Sequence, residues 1–332
     1  LNKSIRFGIK NKQIYGSTDI SLLALADIII CDVNFDIKKI SNKLVVNNKN
    51  FLSAIESISK YIRKEALLII ETTLPPGTSE KIIIPKILKN SKNKNINNKF
   101  LNYCYSFERV TPGKDYLKSI INSHRVFACN NNGASKLTKV FFNNLINLKK
   151  YKVIELNSII ACEMAKIMEN SYRAVNIAFI DEWTKFSNKI NVDLFEIINS
   201  IKMRKTHNNI MMPGIGVGGY CLTKDPYFIE YSSKNILGLK NLKFPFSNSS
   251  ILINEKMPEL SIKILDSLVK SDFKNKKVCI MGVSYKEDIE DTRNSPANKI
   301  YNFFKKKQCQ ISVFDPLVKK WSEFDIKVKN QI

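Results

Sequence analysis

A chain of 332 residues with 44% hydrophobic content and 19 phenylalanines is long enough for two or three domains with real cores. Its 53 basic and 30 acidic residues leave a formal charge of +23, but the lysines are sprinkled among Asn and Ile along the whole length, as at Lys94–Lys99 and Lys305–Lys307. They form no arginine-rich stripe with interleaved aromatics, so the charge reads as compositional drift with some attraction for an anionic substrate, and nucleic acid is not the expected partner.

In the first half, short apolar runs alternate with stretches of helical spacing, the pattern of a parallel α/β sheet. Ala26–Val33 predicts a buried strand. Phe51, Leu52, Ile55, Ile58 and Ile62 predict a helix over Phe51–Lys64. Ala66–Ile70 is the next strand, and Thr72–Ser79, broken at Pro75-Pro76-Gly77, is the turn into another helix. Strands follow at Phe100–Tyr105, Arg125–Ala128 and Lys152–Glu155, with a helix over Ala134–Ile146 and an Asn/Lys-rich loop at Asn90–Asn98. Asn157 or Ser158 caps a helix expected to reach Lys189, long enough to be a central spine or a dimer contact. On it Glu163, Lys166, Asn170 and Arg173 fall on one polar stripe, which periodicity alone fits equally to solvent or to a functional face. Pro245–Ser250 reads as an irregular hinge, Pro258–Val269 as a helix and Lys277–Val283 as a strand. Ser295-Pro296 opens a helix and Gln310–Phe314 is the last strand. This second β-loop-α-β unit sets Lys286 and Arg293 outside a strand's carboxyl end, where α/β sheets bind anions; two solvated basic side chains would fit the same pattern.

The stretch Pro213–Pro226, PGIGVGGYCLTKDP, concentrates Gly214, Gly216, Gly218 and Gly219 ahead of Cys221, with Lys224 and Asp225 behind it. Glycine costs conformational entropy and is used where φ is positive or a ligand approaches closely. A lysine and exposed backbone N–H groups are an environment that lowers a thiol's pKa and activates it, whereas an inert buried cysteine is the commoner fate. The seven cysteines are scattered without a C-x-x-C pair, and His124 and His207 lie far from any cysteine pattern. That argues against a metal site and against a Cys–His hydrolase. No apolar run reaches the roughly 18 residues of a membrane span and no signal peptide is visible, so the expected setting is cytoplasmic, with no membrane partner.

Five motifs in order resemble the UDP-glucose/GDP-mannose dehydrogenase family, the nucleotide-sugar 6-dehydrogenases, over about Gly16 to Pro316: Glu71–Thr78 (ETTLPPGT), Ser106–Gly113 (SFERVTPG), Glu163–Asn176 (EMAKIMENSYRAVN), Pro213–Pro226 and Tyr285–Pro296 (YKEDIEDTRNSP). The resemblance implies NAD-dependent oxidation of a sugar's C6 alcohol to a carboxylate in two hydride transfers, with the aldehyde held as a thiohemiacetal and then a thioester. It implies that Cys221 is the nucleophile, that Lys166 stabilises oxyanion character at C6 beside Asn170, and that Asp225 positions or activates water. It further implies that Glu108 serves thioester hydrolysis and that Thr73 stands at the cofactor–substrate junction. Val33, Thr72, Thr73, Lys224 and Arg293 are the implied cofactor contacts; Glu108, Arg109, Lys166, Asn170, Gly214, Gly218, Tyr285 and Lys286 are the implied substrate contacts. GVGGYC followed by KDP is similar to the branch acting on UDP-N-acetylhexosamines, with UDP-glucose or GDP-mannose as the alternatives.

The fold class so implied is α/β: a partial Rossmann-like N-terminal domain over 1–155, a central helical and dimerisation domain over 156–255, and a partial Rossmann-like UDP-sugar-binding domain over 256–332, assembled as a homodimer through the long helix. The chain departs from the family in four places. The first βαβ unit with its G-x-G-x-x-G fingerprint is absent, NFD follows the strand Ala26–Val33 where relatives have a T-P pair, Pro112 replaces a second glutamate, and the last domain ends just after its second strand. With Leu1 in place of a methionine, the chain reads as an internal fragment, expected to bind NAD poorly and to be inactive alone. The alternative is a silent nucleotide-sugar-binding remnant of such an enzyme.

Overall fold

The computed structural model describes residues 2–41, 43–91, 97, 100–269 and 272–330. Residues 92–96 and 98–99, most of the Asn/Lys-rich loop, lie outside the described residues. The chain opens with helix α1 (Asn2–Lys10), strand β1 (Ile28–Cys31) and a hairpin of β2 (Asp36–Ile40) and β3 (Lys43–Asn47). Then come α2 (Lys49–Tyr61), β4 (Leu67–Ile70), α3 (Ile84–Asn90), β5 (Asn102–Phe107), α4 (Tyr116–Ile121), β6 (Arg125–Cys129), α5 (Asn132–Leu145) and β7 (Val153–Glu155). The apolar runs named from the sequence fall on these sheet strands with ends moved by one or two residues; the run expected at Phe100–Tyr105 is the strand Asn102–Phe107, and that at Arg125–Ala128 extends to Cys129. Their order is β1-β4-β5-β6-β7. The sheet is parallel as expected except at β5 and β6, which pair antiparallel. The connection after Phe107 folds back at the strand's own end, carrying α4, and does not cross the sheet.

The middle of the chain is α6 (Ile159–Ile190), α7 (Leu194–Lys202), α8 (Tyr227–Tyr231) and α9 (Pro245–Leu268). Ser158 caps α6 by accepting from Ala161 N at 3.3 Å, and Asn191 ends it in the left-handed conformation, so the long helix begins and stops where local chemistry allows. The hinge expected at 245–250 is instead the first turn of α9. Pro245 suits that first turn, and Pro258, read from sequence as a helix start, lies inside the helix and is buried against its neighbours. The Glu255 carbonyl, in the turn that Pro258 disturbs, accepts from Lys299 Nζ at 2.5 Å. The domain boundary expected at 255/256 therefore falls within a continuous helix. The chain closes with β8 (Lys277–Met281), α10 (Ala297–Lys306), β9 (Gln310–Phe314), β10 (Lys320–Trp321) and β11 (Ile326–Lys327); β8 and β9 pair parallel around a small core with Trp321 fully buried.

One face of the main sheet, through Tyr103, Tyr105 and Phe107, shares a core with Ile159, Cys162 and Ile167 of α6. That packing turns the polar stripe inward: Glu163, Lys166 and Asn170 are buried, while Arg173 is exposed. Glu163 accepts from Gly77 N at 2.5 Å and Ser79 N at 2.9 Å, tying α6 to the turn after β4. Burial pushes its carboxyl up to about 7 from 4.5 in spite of these bonds. A folded-state value above the unfolded one means the folded protein holds the extra proton, so this contribution is full below about pH 4.5 and is lost as pH rises through about 7. Glu163→Gln is expected to flatten that fall in urea midpoint against pH. Glu163→Ala, which strands two buried N–H donors, is expected to cost about 2–3 kcal/mol at either end of the range.

Candidate active site

The glycine-rich loop is held by the C-terminal unit. Gly219 N donates to Arg293 O at 2.9 Å, and Asn294 Nδ2 donates to Gly219 O at 3.0 Å. The Tyr285 ring lies on the glycines: a Cβ at Gly219, where φ is +79°, would stand 2.7 Å from Tyr285 Cζ, and one at Gly218 would stand 2.5 Å from Tyr285 Cβ and 2.8 Å from Asn294 O. No side chain fits there, which accounts for two of the clustered glycines. Gly214 is exposed and a Cβ there would meet open space. On the loop's other flank the Tyr220 hydroxyl donates to Asp36 at the start of β2.

The loop then turns through Cys221, whose carbonyl accepts from both Lys224 N at 3.1 Å and Asp225 N at 2.9 Å. Asp225 is fully buried between two partners: Asn170 Nδ2 donates to its Oδ2 at 2.7 Å and Lys224 Nζ to its Oδ1 at 2.9 Å. Lys224 also donates to Phe35 O at 3.3 Å and lies over the Tyr220 and Phe228 rings, so its ammonium points into the protein. Lys166 Nζ donates to Glu108 O at 2.8 Å, and the Glu108 carboxylate accepts from Val110 N. The Cys221 side chain is solvent-accessible, yet protein crowds it. Lost hydration first, and the Asp225 carboxylate second, push the thiol up from its ordinary value; Lys166 and Lys224 pull it down without cancelling the rise, and Glu108 adds to it. The lowering that the neighbouring lysine alone would give is outweighed here by burial.

The other expected site residues sit around this centre. Tyr285, half-buried, is close enough for Cys221 to raise its hydroxyl, behind the larger effects of burial and Asp291. Thr72 Oγ1 donates to Val33 O at 2.8 Å, so Val33, Thr72 and half-buried Thr73 gather at the carboxyl ends of β1 and β4. Arg293 makes a two-nitrogen ion pair with Asp291 and lies over Tyr220. Arg109 pairs with Glu169 at 3.0 Å and donates to His124 O, and Lys286 is exposed. The Tyr220–Asp36 link was missed from sequence: its partners are 184 positions apart, and nothing local marks either. A cleft of about 760 Å³ opens beside the loop between the β2–β3 hairpin, α9 and the start of α10; Lys224 and Tyr220 are in its walls and Cys221 is not.

A mostly parallel sheet with polar residues at its strand ends, beside a thiol loop carried by a helical middle, defines the class: a Rossmann-like α/β dehydrogenase scaffold. The chain belongs to the UDP-glucose/GDP-mannose dehydrogenase family, whose models match as the NAD binding domain over residues 1–146, the central domain over 161–256 and the UDP binding domain over 279–331. It is 36% identical over 273 residues to the UDP-N-acetyl-D-mannosamine dehydrogenase of Methanococcus aeolicus, a match covering 81% of this chain and 57% of that one. It is 28% identical to the UDP-N-acetyl-D-glucosamine 6-dehydrogenase of Pseudomonas aeruginosa, over 80% of this chain and 61% of that one. The UDP-D-ManNAc dehydrogenase of Pyrococcus horikoshii superposes with a TM-score of 0.79 at 25% identity, over 93% of this chain and 70% of that one. The chain thus spans little more than half the length of the first relatives it matches. Among the described residues no helix is long and apolar enough to cross a membrane.

Proposed function

We propose that this chain carries the catalytic centre of a four-electron oxidation at C6 of a UDP-sugar, a UDP-N-acetylhexosamine, giving the uronate. The observation that carries the reading is the turn that sets exposed Cys221 against the buried Lys224–Asp225–Asn170 network, with Asp225 N donating to the Cys221 carbonyl and Asn170 one turn from Lys166 on α6. Cys221 would add to the C6 aldehyde, its proton ending on the C6 oxygen as the thiohemiacetal forms; oxidation at the same carbon gives the thioester, which water cleaves. Lys166 would stabilise negative charge on that oxygen, moving its amine from the Glu108 carbonyl, in a site where a fixed charge is worth more than in water. Asp225, with both oxygens engaged by Asn170 and Lys224, would act as a positioning residue, leaving the Glu108 carboxylate to steer water. Tyr285, Lys286, Arg109 and the Gly214 and Gly218 backbone would contact the nucleotide sugar.

The carboxyl ends of β1 and β4 are where such sheets take a dinucleotide; Val33, Thr72 and Thr73 would hold NAD there, Arg293 would reach it from the C-terminal unit, and Lys224, whose ammonium is taken up by Asp225 and Phe35 O, would serve by fixing Asp225. When bound, it supplies the hydride acceptor for both oxidations. The spelling G-x-G-x-x-G occurs once, at Gly214–Gly219, on the loop packed under Tyr285 and not between a strand and a helix. The isolated chain is accordingly expected to bind NAD weakly and to form little NADH from UDP-sugars; robust NADH absorbance in that assay would show this wrong. The proposed division keeps an NAD-binding part to residue 155, a central helical part, and a UDP-sugar part that begins after α9. Seven unpaired cysteines support a reducing, cytoplasmic setting.

The test of the central reading is alkylation. Cys221 should be alkylated by iodoacetamide at a rate that climbs with pH beyond the ordinary thiol range, and a UDP-N-acetylhexosamine should protect it. Failure of the sugar to protect Cys221, with exposed Cys279 as the control, would contradict it.

The homodimer is proposed through the outer face of α6, where Met168, Tyr172, Phe179, Trp183 and Phe186 form an exposed apolar stripe, with Trp183 edge-on to both phenylalanines. Trp183→Glu is expected to turn a sedimenting dimer into a monomer with an unchanged circular dichroism spectrum. A wild-type chain that sediments as a monomer at micromolar concentration would contradict the dimer.

A further inference from the structure

Away from the site, Cys104 of β5 and Cys129 of β6 are directly opposite each other in the antiparallel pair of the main sheet. Asn130 N donates to Tyr103 O at 3.2 Å, which joins the residue after one cysteine to the residue before the other. That bond marks Cys104–Cys129 as a non-hydrogen-bonded pair, where the Cα atoms lie about 4.5 Å apart and the side chains are closest. Such a separation lies within the span a disulfide bridges. Both side chains belong to the cluster of Phe127, Ala134 and Phe142, on the sheet face that α5 covers. Thr138 Oγ1 of α5 lies 3.4 Å from Cys129 Sγ.

We propose that Cys104 and Cys129 are a redox pair that a hydroperoxide closes into a reversible disulfide across β5 and β6. The roles follow from the surroundings. Cys129 is half-buried and therefore reachable, and the neighbouring Cys104 thiol, with Thr138, lowers its thiol below the ordinary value. Cys104 is fully buried, held high first by lost hydration, and is the resolving partner. The Cys129 thiolate attacks the terminal peroxide oxygen; the O–O bond breaks, giving the sulfenic acid and an alkoxide that takes up the proton Cys129 released. The Cys104 sulfur then displaces that oxygen: the S–S bond forms, the S–O bond breaks, and water leaves with the Cys104 proton. Two thiols have lost two electrons and two protons, and the hydroperoxide has become an alcohol and water. An external dithiol reverses the bond by exchange. Once closed, it fixes the register of the strand that leads directly to Glu108 and the carbonyl holding Lys166.

The test uses the whole chain with Cys221→Ser and Cys279→Ser, which removes the two exposed competitors. The chain is treated with increasing hydrogen peroxide, unfolded in guanidinium chloride with N-ethylmaleimide so that the buried thiols are labelled, digested without reductant and mapped by mass spectrometry. The expected result is joint loss of maleimide from positions 104 and 129 with a Cys104–Cys129 linked peptide, both reversed by dithiothreitol. With Cys104→Ser added, Cys129 is expected to accumulate as a dimedone-reactive sulfenic acid. Should that variant not fold, the peptide map of the parent decides alone. Retention of maleimide at both positions after peroxide, or linkage of either cysteine to a different one, overturns the proposal.

Discussion

Cys221→Ser is expected to bind the nucleotide-sugar alcohol as tightly as the parent chain and to lose on the order of a hundredfold or more in affinity for the C6 aldehyde. The reason is the bond the sulfur makes. An aldehyde held as a thiohemiacetal is retained by a covalent contact that the alcohol cannot form, and a serine hydroxyl is too poor a nucleophile to replace it. The raised thiol sharpens the expectation. Burial and Asp225 push the Cys221 thiol up, so the proposed retention rests on the covalent bond and not on a lowered thiol. Calorimetric titration with the UDP-sugar and with its 6-aldehyde separates the possibilities. An equal loss for both ligands would make the effect structural, and no loss for either would mean that the sulfur does not hold the aldehyde.

Asp225→Ala is expected to destabilise the chain by about 3–5 kcal/mol, because it leaves the Lys224 ammonium buried without its counter-charge. Lys224 is 7% exposed and Asp225 is 0% exposed, so neither can turn to water without moving the loop. The change also removes the acceptor of Asn170 Nδ2, freeing the α6 side chain one turn from Lys166. Urea unfolding gives the stability. The double change Asp225→Leu with Lys224→Met removes both charges together and is expected to recover most of the loss while leaving UDP-sugar protection of Cys221 impaired. A double variant as unstable as the single one would mean that the ion pair is not the cause.

The sheet was legible wherever a strand is buried on both faces. LLII and YCY are continuous apolar stretches of strand length, and the latter runs on through Ser106 and Phe107, which the sequence reading left outside the strand. The hairpin of β2 and β3 was not, because DIKKI and KLVVN mix charge with apolar residues at solvent and present no such run. Helix α1 escaped for the same reason: Ile5, Phe7 and Ile9 remain exposed, with no core to impose a pattern. Two prolines made one helix, α9, look like a hinge followed by a helix, although packing tolerates Pro258 inside it. At the site, the spacing of Glu163, Lys166, Asn170 and Arg173 put four polar groups on a stripe but could not say how far the stripe turns inward. Packing against Tyr105 and Phe107 buries the first three and leaves the fourth in water. The glycines and Cys221 were conspicuous in sequence, whereas the sign of the thiol's shift depends on how closely the loop is crowded, and no spacing rule carries that.

A crystal structure of this chain with a UDP-N-acetylhexosamine measures the central claim directly, as the distance from Cys221 Sγ to the sugar's C6. The account expects about 3–3.5 Å, a separation from which attack is possible, with Lys166 Nζ turned toward the C6 oxygen. A nucleotide held by the C-terminal unit with C6 pointing away from the sulfur, or a sugar seated in the cleft between the β2–β3 hairpin and α9, would contradict it.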